Sequence, residues 1–265
     1  MNHKRYEELT FTDDFMFCKV LANNEELCKE LLELILGIKI RKVVVLNRQQ
    51  AIEITADAKG VRLDVYVEDD ENSVYDIEME ATKRIHLPKR SRYYQAMIDL
   101  NIIERGEKYD KLKKSFVIFI CLKDPFDRGM HLYSFENRCK EIPELLLGDE
   151  TIKVFVNAAG TANDVSPEMA DFLKYLVEGV GDSPLVNKID AAVQNARAHA
   201  EWRSEYMSLL LRDLEMKEEG REEGRLQQLF ELVQEGDISL EVALKRTTLS
   251  EKEFVDQMKQ YVEKK

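Results

Sequence analysis

"RLDVYVEDDENSVYDIEMEATKR", residues 62–84, decides the fold of this chain. Apolar and polar residues alternate on both sides of a polar turn, the pattern of two paired antiparallel strands. Leu63, Val65 and Val67 point one way, and Asp64, Tyr66 and Glu68 the other. In the second run Tyr75, Ile77 and Met79 share the core face, while Val74, Asp76, Glu78 and Glu80 take the opposite one. A turn centred near Glu71 sets Glu68 against Val74 and Asp64 against Glu78. Directly opposed residues hold their Cβ atoms about 4.5–5.5 Å apart, and two carboxylates so placed destabilise a sheet unless a cation lies between them. Their oxygens suit Mg²⁺, a hard ion that takes one or two carboxylates and keeps several waters. Glu80 points into the same space. The competing reading is an ordinary solvated outer face on a hairpin, where acids are common. Register carries the argument, since a slip of one residue moves every acid into the core.

The next stretch, "KRIHLPKRSR" at residues 83–92, holds five Lys or Arg and no acid. A cation held by carboxylates beside a basic helix start is what phosphodiester chemistry requires: the metal polarises the phosphate and lowers the pKa of water, and the bases anchor flanking phosphates. The formal net charge of −12 argues globally against nucleic acid. Phosphate contact depends on a local patch, however, and this decapeptide is the clearest one in the chain.

Around this centre the chain reads as α/β. "NNEELCKELLELILG" (23–37) is a helix that stops at Gly37, preceded by a first helix that Asp13 or Asp14 caps. "IRKVVVLNRQQ" (40–50) is a first strand, and "LPKRSRYYQAMIDLNIIERG" (87–106) a helix with Pro88 in its first turn. "SFVIFICL" (115–122) is a continuous apolar run, hence a buried central strand. Shorter strands follow in 130–137 and 152–160, then a helix opened by Ser166 and Pro167. From residue 188 the pattern becomes one long, highly charged helix that ends in a short helix–turn–helix-like piece, with a bend or close crossing expected at Gly220 and Gly224. Such a helix needs a partner surface. It is read either as a linker or as a self-association module.

These segments, taken in order from "TDDFMFCKVLAN" through "RLDVYV", "YDIEMEA", "LPKRSRYYQAMIDLNIIERGEKYDKLKKSFVIFICLKDPF" and "IKVFVNAAGT" to "EEGREEG", closely resemble the Rpn family of recombination-promoting nucleases, also described as transposases, within the PD-(D/E)xK nuclease superfamily. The resemblance covers nearly the whole chain. It implies a restriction-endonuclease-like core of αβββαβ type, a mixed central sheet flanked by helices, in residues 1–187, with a C-terminal helical tail in 188–265. It also implies Mg²⁺- or Mn²⁺-dependent DNA endonuclease activity with links to recombination or phage defence. Carried over by position, Asp64 and Glu78 become the metal-binding catalytic carboxylates, the backbone carbonyl of Met79 adds a ligand, and Asp14 matches a further acidic position. Lys83, Arg84, Lys89, Arg90, Arg92 and Tyr94 become the DNA contacts. Superfamily members usually carry Lys two residues after the glutamate, and this family commonly has Gln; here the residue is Glu80. It is a candidate general base or extra ligand, and Lys83 is a candidate for a migrated positive charge. The rival reading is a catalytically inactive nuclease-fold protein that binds DNA or a protein partner.

Four cysteines and four histidines show no zinc or disulfide spacing. With no apolar run of about 18 residues and no signal-like N-terminus, a cytoplasmic protein without a membrane partner is expected. The tail is expected to mediate homodimerisation.

Overall fold

A computed structural model describes residues 4–48, 51–52, 61–83 and 85–264. Among these, no helix is long and apolar enough to cross a membrane. The chain divides into two compact units, Met1–Ala200 and Glu201–Lys265.

The first unit opens with α1 (Asp14–Ala22) and α2 (Glu25–Leu36). Asp13 stands at the N-cap of α1, and its carboxylate accepts from the Thr10 backbone N–H at 2.7 Å. Gly37 ends α2 with φ +65°, a left-handed conformation that a glycine adopts without steric cost. There follow β1 (Val43–Arg48), the short β2 (Ala51–Ile52) and β3 (Val61–Arg62), β4 (Val65–Asp69) and β5 (Val74–Glu80). Next come α3 (Leu87–Ile102), β6 (Ser115–Cys121), β7 (Leu132–Phe135), β8 (Thr151–Asn157), α4 (Pro167–Glu178) and α5 (Pro184–Arg197). Six strands form one mixed sheet in the order β1-β4-β5-β6-β8-β7, and β2 pairs with β3 separately. β1, β4 and β5 are antiparallel, β5, β6 and β8 are parallel, and β7 runs antiparallel at the edge. The expected mixed central sheet between helices is observed, with "SFVIFIC" fully buried at its centre.

The hairpin register agrees with the count along the sequence, Glu68 pairing with Val74 and Val65 with Ile77. Asp76, Glu78 and Glu80 fall in line with Val117, Phe119 and Cys121 of β6. Those β6 residues pack with Leu87, Tyr94, Met97 and Ile98 of α3. The acids therefore lie beneath α3. Asp76 is 0%, Glu78 1% and Glu80 3% exposed. This corrects the reading of a solvated outer face. A β-α-β crossover from β5 to the parallel strand β6 lays its helix over the sheet, so β5 is covered on both sides. The opposite face packs against α1 and α2, which contact β1 and β4, and α5 packs on α1, α2 and α4.

α5 corrects the expected domain boundary. Its buried stripe Leu185, Val186, Ile189, Val193 and Ala196 belongs to the first unit, where Tyr6 donates its hydroxyl to the Ala196 carbonyl at 2.6 Å and Arg197 Nε donates to the Leu9 carbonyl at 2.8 Å. The stripe has helical spacing, but polar neighbours at almost every other position make it read as part of a charged tail.

In the second unit, α6 (Ala200–Gln234) is followed by α7 (Leu240–Leu244) and α8 (Glu251–Lys264). Leu229, Phe230, Ala243 and Phe254 form its core, with Leu226, Val233, Ile238, Met258 and Tyr261 around them. α6 runs unbroken through Gly220 and Gly224, so no bend occurs there, and among the described residues of the chain no atom stands within 4 Å of where either Cβ would be.

Candidate metal centre

The site forms where the chain leaves the sheet just ahead of β4. Asp64 is the residue before β4 and lies opposite Glu78 by continuation of the Val65–Ile77 register. Its backbone N–H donates to Glu78 Oε1 at 2.9 Å, and its own Oδ2 accepts from the Met79 N–H at 3.2 Å. In a strand the N–H and C=O of one residue leave by the same edge. The Met79 carbonyl thus faces the Asp64 side, whereas the Glu80 carbonyl faces β6, where it accepts from Leu122 at 3.0 Å.

α1 brings a third acid. Asp14 opens the helix and Cys18 follows one turn later on the same face. Asp14, Cys18 and Asp64 each offer a ligand atom, and those atoms lie within 4.8 Å of one another. Asp14 is exposed and Asp64 half-buried, so the group opens to solvent, while Cys18 is buried at its floor. Cys18 escaped sequence reasoning, which looked for cysteine pairs; the signal that points to it is its i, i+4 spacing from Asp14.

Three carboxyl groups on β5 approach from the α3 side. Glu78 Oε2 accepts from Arg90 NH2 at 2.7 Å and Glu80 Oε2 from Arg90 NH1 at 2.8 Å. Glu80 Oε1 accepts from the Thr82 hydroxyl at 3.0 Å. Asp76 was singled out for its face but not as a site residue, and it is the most confined of the three. Both of its oxygens are buried with no backbone or basic partner among the described residues, and its carboxyl bonds to that of Glu78.

Electrostatics follow from this crowding. Burial, then the charges of Glu78 and Asp14, push the Asp64 carboxyl up to about 9. Burial, then Asp64, raises Asp76 well above the usual carboxylate range; burial, then Asp76, does the same to Glu78, against the pull of Arg90 and the Asp64 N–H. Arg90 thus bonds Glu78 and Glu80 and acts on Asp76, while Asp14 stands beside Asp64. The buried, paired carboxyls of Asp76 and Glu78, an excess of oxygen donors and an opening at Asp14 together fit a divalent cation.

The basic segment divides. Arg90 turns inward onto the acids, and Tyr94, 8% exposed, accepts from Arg90 Nε at 2.8 Å. Tyr94 is therefore corrected from a DNA contact to a buried support of Arg90; its neighbour Tyr93 is the exposed one of the pair, because a helix turns adjacent residues about 100° apart. Lys83 Nζ is 2.5 Å from Asp127 Oδ1, in the loop after β6, so it does not supply charge to Glu78 or Glu80. Lys89 and Arg92 are exposed on the outer side of α3. Arg84 lies outside the described residues.

Residues 11–141 match the family described as PD-(D/E)XK nuclease family transposase. No curated protein and no solved structure matches the chain.

Proposed function

We propose that this protein is a divalent-metal-dependent DNA endonuclease that hydrolyses phosphodiester bonds, since residues 11–141 match the PD-(D/E)XK nuclease family transposases. Asp64, Glu78 and the Met79 carbonyl would hold Mg²⁺ or Mn²⁺, with Asp14 as a further ligand. The observation that carries the reading is the interlock of Asp64 and Glu78, each bonded to the other's strand, beside the buried Asp76 carboxyl.

When bound, the cation would supply charge stabilisation at the phosphate and a lower pKa for water. The chain's own residues do the rest. Asp64 and Glu78 are aimed by backbone hydrogen bonds rather than by flexible contacts. Glu80, held by Thr82 and Arg90, would be the group that accepts the proton. Lys89 and Arg92, exposed on α3, would hold flanking phosphates. Recombination or defence against foreign DNA are the settings such an activity would serve.

On α6, Met207, Leu211 and Leu214 are exposed at helical spacing on one face, which supports pairing of two copies through residues 201–265. A monomer at micromolar concentration would remove this element of the proposal.

A second reading, a non-catalytic DNA- or protein-binding module, draws on Glu80 in place of Lys or Gln and on Arg90 already engaging both Glu78 and Glu80. Supercoiled plasmid incubated with the protein in Mg²⁺, in Mn²⁺ and in chelator, with Asp64→Ala beside the wild type, separates the two. Metal-dependent nicking that disappears in the variant supports the nuclease; a folded protein inert in both metals supports the binding module.

A further inference from the structure

Each of the three nitrogens of the Arg90 guanidinium donates within the site. NH2 meets Glu78 at 2.7 Å, NH1 meets Glu80 at 2.8 Å and Nε meets the Tyr94 hydroxyl at 2.8 Å. Its plane lies over two rings, 4.9 Å from the centre of Tyr94 and 5.3 Å from that of Phe119. The side chain starts from a fixed point, since its backbone N–H donates to the His86 carbonyl in the first turn of α3, which Pro88 pre-sets. The strand itself supplies no cation. Position 80 is an acid, and the nearest downstream lysine, Lys83, is held by Asp127.

We propose that Arg90 is the positioning residue of this site: from α3 it supplies the positive charge that β5 lacks, holding Glu78 toward Asp64 and making room for a second carboxylate at Glu80. This rests on the cleavage reading above and deepens it. Two carboxylates two residues apart on one strand face, at 1% and 3% exposure, repel strongly in a medium of low dielectric. A planar fork satisfies both at once, which an ammonium point charge cannot. Glu80 is thus tolerated where a Lys or Gln would be the simpler choice, because its charge is cancelled from the neighbouring helix. Arg90 at the same time opposes the entering cation, being a like charge beside the ligands. That gives it a signature that a merely structural residue lacks. Removing it should tighten metal binding, since Glu78 stays held by the Asp64 N–H, while it frees Glu80 and slows cleavage.

The test is Arg90→Gln, Arg90→Lys and the double variant Arg90→Gln/Glu80→Gln, each read by Mn²⁺ calorimetry, by thermal melting and by plasmid cleavage with kcat and KM separated. Arg90→Gln should bind Mn²⁺ several-fold more tightly, with kcat down at least about tenfold and KM for DNA nearly unchanged. Arg90→Lys, which keeps the charge but reaches one carboxylate, should fall between the two. The double variant, free of the uncompensated buried acid, should recover most of the melting temperature that Arg90→Gln loses, while kcat stays low because Glu80 is the proposed proton acceptor. A rise in KM with kcat intact would make Arg90 a phosphate contact and overturn the proposal. So would Mn²⁺ affinity falling together with kcat in the folded Arg90→Lys protein, or a double variant that melts no higher than Arg90→Gln. Should the wild type cleave nothing, the nuclease reading fails, and the Mn²⁺ affinities still decide the role of Arg90.

Discussion

The backbone N–H of Asp64 donates to the Glu78 carboxylate at 2.9 Å. One acid is therefore held in place by the main chain of the other, and the pair keeps its spacing without a cation. The arrangement has a cost, because Asp64 is pushed up to about 9 by burial and by its acidic neighbours. Asp64→Asn retains an oxygen that can accept from the Met79 N–H but removes the ionisable group. The variant should lose metal-dependent cleavage by at least about 100-fold. In chelator at neutral pH it should melt higher than the wild type, by about 2–4 °C for each kcal/mol gained. Thermal melts beside a cleavage assay check both outcomes.

The raised carboxyls also set a pH dependence. Between the ordinary Asp value of 3.8 and about 9, the folded protein keeps a proton on Asp64 that the unfolded chain has released. The native state then binds more protons than the unfolded one, so stability of the metal-free protein falls as pH rises through that window. Asp76 and Glu78, raised in the same direction, add to the slope. Saturating Mn²⁺ should flatten it, since the cation replaces the protons. Melting temperatures from pH 5 to 9, with and without Mn²⁺, read this directly; a metal-free melt that rises with pH would contradict it.

Tyr94 offers a test of the support beneath Arg90. Its hydroxyl accepts from Arg90 Nε at 2.8 Å in a buried position. Tyr94→Phe leaves that N–H without its partner and should cost about 1–3 kcal/mol in denaturant unfolding. DNA affinity should stay as it is, because the ring faces the core. A selective loss of DNA binding would instead return Tyr94 to the interface.

Packing near the sheet edge yields a prediction independent of the site. A Cβ at Gly160 would stand 2.4 Å from Cδ2 of His131, whose Nδ1 is 2.6 Å from Asp164 Oδ1. Gly160→Ala should destabilise by about 1–3 kcal/mol through overpacking, and Gly160→Ala/His131→Ala should recover part of that loss. Additive losses in the double-mutant cycle would show that the two residues do not collide.

Much of this was legible in the sequence. Alternation fixed the hairpin register to the residue, because each strand carries an apolar row that has to meet the core. The order of segments identified the nuclease-like core. What the hairpin pattern does not carry is the far side of the sheet. Asp76, Glu78 and Glu80 read as solvent-facing because their row is polar, and only the β5–α3–β6 crossover reveals the cover above them. The inward turn of Arg90 was hidden for the same reason, since "PKRSR" shows its bases but not which one lies toward the sheet. Cys18 joined the site through α1, far away in sequence from Asp64, and local spacing cannot report such a contact. The unit boundary shifted because the apolar stripe of α5 is thinly spread among polar residues.

The most direct measurement is a Mn²⁺ titration by calorimetry on the full chain, comparing wild type with Asp64→Ala. The account predicts binding by the wild type and affinity weakened at least about tenfold in the variant. Equal affinity in the two proteins, or none in a folded wild type, would contradict the assignment of Asp64 and Glu78 as a metal centre.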